Sequence, residues 1–352
     1  MNLRDTGFCN NSGGAPMRAA WTGLASTLIG SVAFGHHSAI IFDRDSLIAF
    51  EGTVTGFDWT NPHVYIHVET SDAAGDPVEW EIETDATVVL TRSGWTRESF
   101  RPGDRVAIRA NPDTNRNRRH ALLISIANEA GEVLTPRAYL SGDSGASEAT
   151  ERASEVFGMW EGVRSTFLAY LRSFSHAALT PVGEAARADF DLRRDGPEAR
   201  CIPFSSPRNV MGSLYMHELR QAGETVLIRN EYLHSERVVY MDGRDHPEDF
   251  ERTVQGHSIG WWEGDVLVVD TIGFADNRSA YGNGVPSGSQ KHVVERYQLG
   301  PDGRRLTVGI MVEDPEYLAE PFTGSVERRY APDLGFLEFE CDPESSRRFT
   351  LQ

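Results

Sequence analysis

The sequence predicts a mainly β protein: a small OB- or SH3-like barrel, then a larger antiparallel, lipocalin-like β-barrel with a short helical lead-in. Three observations carry this expectation. Five short strand-like segments separated by Gly, Pro, Asn or Asp fill residues 44–135, with no long helix among them. A Ser-, Gly-, Ala- and Glu-rich stretch, Ser141–Ser154, reads as a linker. About nine further strand-like segments then follow through tight turns, and a meander of that length closes on itself to remove its edges.

Residues 1–35 read as an export signal. Met17-Arg18 precede an apolar run from Ala19 to Gly35, and Ala33 and Gly35 are the small residues a signal peptidase requires. Met17 is an alternative start. The run is short and rich in Gly, Ser and Thr for a membrane span, so the mature protein is expected to be periplasmic or secreted, without membrane insertion. Cleavage after Gly35 would make His36 the first residue. A free α-amine beside an imidazole is a copper chelate, and His63 is the candidate to complete it. The competing reading is a flexible polar start and an exposed strand histidine.

The small domain, residues 36–135, has its strands at Ile48–Trp59, His63–Glu69, Val78–Glu83, Arg105–Ala110 and Leu122–Ala127. Val64, Ile66 and Val68 share one face, and His63, Tyr65 and His67 the other. His63 and His67 are roughly 13 Å apart along an extended strand, too far to share an ion. Residues 136–155 form the linker. In the second domain, residues 156–352, the spacing of Trp160, Val163, Phe167, Tyr170, Leu171 and Phe174 predicts one or two helices over Val156–His176. The strands follow at Leu214–Arg220, Thr225–Tyr232, Arg237–Met241, His257–Trp262, Val266–Thr271, His292–Leu299, Arg305–Val312, Ser325–Tyr330 and Phe336–Cys341. Cys201 and Cys341 are the two cysteines left after export, and they pair as a disulfide in an oxidising compartment. The bond would join the segment before the barrel to its last strand.

Two resemblances accompany this reading. Gly52-Thr-Val-Thr, Trp59-Thr-Asn-Pro-His63, Trp80-Glu-Ile-Glu, Ser93-Gly-Trp95 and Pro102-Gly-Asp104, after His-His-Ser, resemble a bacterial family of exported proteins of unknown function. Met241-Asp-Gly-Arg-Asp-His-Pro247, Gly256-His-Ser-Ile-Gly260, Trp262-Glu-Gly-Asp265, Leu267-Val-Val-Asp-Thr271, Val294-Glu-Arg296 and Glu313-Asp-Pro315 resemble a second exported family. Neither resemblance implies an activity.

Net charge is −18, with 39% hydrophobic and 10% aromatic residues, so the chain supports globular cores. The acidic surface repels nucleic acid and anionic lipid, which are discounted as partners. Lys291, beside His292, is the single lysine and is expected to be a solvated loop charge.

Gly256-His-Ser-Ile-Gly260 fits the G-x-S-x-G elbow of serine hydrolases, but a strand follows where the elbow needs a helix, and that reading is disfavoured. Asp270 shares a strand face with Val266 and Val268. If that face points into the barrel, burial raises the carboxyl pKa and suits it to acid–base work. His257 reaches it across a hairpin, and Glu295 offers a second carboxylate. Arg244, His246, Trp261, Trp262 and Tyr297 are the candidate substrate contacts. The competing reading is a structural ion-pair lattice, with Arg244 and Arg296 pairing Glu231 and Glu295. The residues favour a small-molecule enzyme, a lyase, dehydratase or isomerase requiring no cofactor. The alternative from another class is a non-enzymatic copper-binding envelope protein.

Overall fold

The computed structural model describes residues 41–137, 151–191, 195–277, 281, 284–346 and 348. The expected export signal and His36 lie outside these residues. Among the described residues no helix is long and apolar enough to cross a membrane.

The first barrel is built from β1 (Ile48–Asp58), β2 (Tyr65–Ser71), β3 (Pro77–Glu83), β4 (Arg105–Pro112) and β5 (His120–Asn128). The order is β3-β2-β1-β4-β5, and a parallel β3–β5 pairing closes the ring. A helical turn, α1 (Thr87–Arg92), spans β3 to β4, and a two-residue strand, β6 (Val133–Leu134), extends the sheet beyond β5. Val64, Ile66 and Val68 do point inward, onto Trp95, Phe100 and Ile108. This is the expected five-stranded barrel, since alternation of apolar and polar residues registers each strand against the core.

The second barrel contains nine strands: β7 (Gly158–Gly162), β8 (His217–Ala222), β9 (Thr225–Asn230), β10 (Ser235–Tyr240), β11 (His257–Glu263), β12 (Val266–Ile272), β13 (His292–Leu299), β14 (Arg305–Glu313) and β15 (Phe322–Tyr330). A closed ring with an odd number of strands cannot be antiparallel throughout. The one parallel join falls between β10 and β11, held by Val239↔Ser258 and Tyr240↔Ile259.

Two expected elements change place. Gly158–Gly162 is a barrel strand, between β15 and β8, where a helix was expected. The helix starts later, as α2 (Arg164–Ser175), and α3 (Pro181–Asp189) follows it. α2 lies on β15, with Tyr170 and Phe174 edge-on to Phe322 at 5.4 and 4.5 Å. Phe336–Cys341, expected as the last strand, instead runs outside the ring to the small barrel, where Cys341 forms an isolated bridge with Asn61. Cys201 and Cys341 are disulfide-bonded, 140 residues apart. The bond ties the β7–β8 crossover to this tail. Loop-closure entropy sets its stabilisation at no more than about 5 kcal/mol.

The barrels share a third core of Ala86, Val88 and Val89 from one and Leu214, Tyr232 and Phe339 from the other. Above it, Arg92 grips the fully buried Glu231 with two bonds of 2.7 and 2.5 Å. Glu231 also accepts from the Leu337 amide at 2.7 Å.

The interior of the large barrel is filled. Trp160, Tyr297 and Arg328 are all fully buried, so the expected internal ligand chamber is occupied by side chains. Lys291, expected in solvent, is 1% exposed and donates to Ser205 (3.1 Å) and Ser287 (3.0 Å).

Candidate functional site

β12 decides where the chemistry sits. Leu267, Val269 and Thr271 face the core opposite Tyr297, Glu295 and Val293 of β13, all buried. Asp270 therefore faces outward with Val266 and Val268, contrary to the inward reading. Four apolar residues in a row do not reveal which face is core, and Val268 is buried on the outer face too. The predicted catalytic set is thus split by the sheet. Glu295 lies inside, bonded to Ser206, Arg237 and Tyr297 (2.7 Å), while His257 and Asp270 lie outside. Arg237 also donates to Thr271 (3.1 Å), whose hydroxyl meets that of Ser258 at 2.8 Å. Ser258 is a buried residue inside β11, not a serine on an elbow.

On the outer face, five separated segments bring ionisable groups into one chain of contacts. Gly256, at φ +71, turns the chain into β11 and sets His257 at the strand's first position. The loop from β10 to β11 brings His246 over it, with the two Nδ1 atoms 2.8 Å apart. His246 Nε2 lies 3.2 Å from Asp270 Oδ1, and the same oxygen lies 3.0 Å from His292 Nε2. His292 Nδ1 is 3.0 Å from Glu313, its cross-strand partner on β14. His246, Asp270, His292 and Glu313 border an open cleft of about 620 Å³ with Ile272 and Leu318 on its apolar side.

The network assigns the protons. Both nitrogens of His292 face carboxylates, so both carry hydrogen and the ring is an imidazolium. The hydrogen bond from Asp270, ahead of the opposing effect of burial, raises its pKa to about 9. Burial alone would raise the Asp270 carboxyl, but hydrogen bonds and charge from His292 and then His246 hold it below its ordinary value. His246 donates from Nε2 to Asp270, and one proton lies between its Nδ1 and His257 Nδ1, supplied by either ring. Burial, reinforced by the neighbouring His246 and Arg244, lowers the His257 pKa and keeps that ring neutral.

Other predicted residues lie apart from this chain. Arg244 pairs with Asp242 at 2.5 Å and lies over the Tyr240 ring at 4.0 Å, while Arg296 pairs with Glu263. Neither reaches Glu231 or Glu295, which take Arg92 and Arg237 instead. Trp261 and Trp262 are exposed on β11 just before the hairpin turn at Gly264, and Trp262 meets Phe157 edge-on. Tyr297 is buried in the core. His292 and Glu313 are the site residues that sequence reasoning missed.

Among the described residues, no group of three His, Cys, Asp or Glu side chains is arranged to hold a metal ion. His63 lies in the small barrel with Nδ1 3.1 Å from both Thr84 O and the buried Glu83. His120 approaches the other Glu83 oxygen at 3.3 Å.

Residues 24–122 match a family of unknown function, DUF6152. The match covers β1 to β4 and the first residues of β5, and so takes in His63 and Glu83. No curated protein matches the chain.

Proposed function

We propose that the chain is an exported small-molecule enzyme performing cofactor-independent proton transfer at the outer-face cleft, as an isomerase, dehydratase or lyase does. The observation that supports this is the unbroken contact from His257 to Glu313, which sets a neutral imidazole and an imidazolium at opposite sides of one carboxylate. Groups whose environments drive their pKa values apart make a base and an acid. Asp270, which lines the cleft, takes the substrate proton and passes it through His246 to the neutral His257 ring. His292 returns a proton from the other side. Ile272 and Leu318 give the cleft an apolar wall for a small, partly apolar substrate. Glu295 and Tyr297 hold the barrel and do not touch the substrate. The Cys201–Cys341 bond fits an oxidising, periplasmic or secreted location.

The test is deuterium incorporation into a panel of small carbonyl and hydroxy acids in D₂O, read by NMR. Asp270→Asn should lower exchange about 100- to 10,000-fold, the scale of a lost acid–base relay. A variant exchanging at the wild-type rate would remove Asp270 from the mechanism.

A second reading, copper binding through a mature amino-terminal His36 with His63, is favoured by one feature. His63 stands 3.1 Å from a fully buried carboxylate, Glu83. Mass spectrometry of the exported protein decides it: an amino terminus other than His36 ends this reading.

A further inference from the structure

The outer-face cleft, at about 620 Å³, is of the size that small-molecule sites have. Four carboxylates border it: Asp270, Glu313, Asp314 and Glu320. Two imidazoles, His246 and His292, are the groups that carry positive charge there. Among the described residues, no arginine or lysine borders the cleft. Arg244, on the same loop as His246, is already paired with Asp242 at 2.5 Å. The pairing inside the cleft does not cancel the carboxylates. Asp270 and Glu313 share a single imidazolium, His292, at 3.0 Å each. Even with His246 protonated too, four carboxylates face two cations, and with Asp314 neutral three still face two. The lining is negative in every protonation state of its histidines.

Asp314 adds an independent sign of a missing cation. It is 1% exposed, and its Oδ2 accepts from the Tyr281 hydroxyl and the Gly288 amide. Its Oδ1 is buried without a hydrogen-bond partner. Buried polar atoms are almost always satisfied, and each exception calls for an account. Burial raises the Asp314 pKa against those two bonds and against the charge of Lys291, which acts from the core side and does not border the cleft. A cation in the cleft would favour the ionised form of Asp314. At the rim, Glu320 is exposed, and Glu313 uses one oxygen, Oε2, on His292 and leaves Oε1 for a ligand.

We propose that the substrate of this cleft is a small carbonyl compound bearing a protonated amine, its ammonium held by Glu313 Oε1 and Glu320 and its carbon chain against Ile272 and Leu318. The inference rests on the proton-transfer reading of the same cleft and names the substrate class. An organic acid is turned away twice, by the carboxylates of the lining and by the field of a chain of net charge −18. An amine is drawn in by both. With the ammonium at the rim, the C–H beside the carbonyl lies towards Asp270.

The probe is protonated dimethylaminoacetone, compared with methyl isobutyl ketone, its neutral isostere, and with levulinate, a keto acid. Each is titrated into the full chain in D₂O and followed by NMR through the ring signals of His246 and His292. The cation should saturate one site. The neutral ketone should be weaker by about 10- to 100-fold, the worth of hydrogen bonds to charged groups, and levulinate weaker still. Glu320→Gln should weaken the cation by about 2- to 5-fold, the scale of one exposed charge, and leave the neutral ketone unchanged. Equal binding of cation and neutral ketone, tighter binding of levulinate, or no response of either histidine at millimolar cation would each overturn the proposal. Deuterium exchange beside the carbonyl, read in the same samples, separates two failures. Preference for the cation with no exchange on any ligand upholds the charge selection and overturns the catalysis. Exchange on levulinate with no preference for the cation overturns the charge selection and upholds the catalysis.

Discussion

At the scale of single residues, two neighbouring groups with altered ionisation, Lys291 and His292, act in opposite directions on stability. His292 titrates at about 9 against an ordinary 6.5, so its ion pairs stabilise fully below about pH 6.5 and are lost as pH rises through 9. Lys291 is driven by burial down to about 7, so its cost is complete below that pH and shrinks towards its unfolded value near 10.5. Between pH 7 and 9 the two trends offset each other in the total. A difference measurement separates them: the stability gap between wild type and His292→Gln should be of order 1–2 kcal/mol at pH 6 and close above pH 9. A constant gap across that range would show that His292 carries no extra proton. Lys291, the single lysine of the chain, should resist amine-reactive labelling until the protein unfolds, as read by peptide mass. The site was half legible in the sequence. His257 and Asp270 sit on consecutive predicted strands, and His246 on the turn before them. His292 was visible only as the first residue of a strand. Its role depends on a register that places it two residues from Val294, the partner of Asp270, and opposite Glu313.

At the scale of elements, strands rich in Val and Ile declared themselves, and β1 to β5 and β8 to β14 lie close to their expected positions. β7 did not, because Gly158-Met-Trp-Glu-Gly162 holds no β-branched residue, and Trp160 falls in step with the apolar spacing of α2. Its conformation comes from the ring: the gap between β15 and β8 leaves unpaired backbone groups that only a strand satisfies. The parallel join of β10 to β11 has two residue pairs, against six or seven at the neighbouring antiparallel joins. Amide hydrogen exchange should therefore be faster at Val239 and Tyr240 than in β13 and β14. Protection equal to that of β13 would show that the join is as firm as the rest of the ring. His246 rides on the loop that spans this join, so opening there separates it from His257.

At the scale of the whole molecule, the barrels form one unit through a shared core, and Glu231 is its polar anchor. Removing Arg92 leaves a fully buried carboxylate without its guanidinium, a loss of about 3–5 kcal/mol. Arg92→Met should lower denaturant resistance by that amount in a single transition covering both barrels; a loss below about 1 kcal/mol would assign the joint to apolar packing alone. The sequence offered two modules with a linker, and nothing in it marked the tail from Phe336 to Cys341 as anything but one more strand. That tail also has a consequence for biogenesis. Leu337, Phe339 and Cys341 emerge after every strand of both rings has been made. Each ring has its full set of strands before the latch between them exists, and fastening waits on residues synthesised after the last strand.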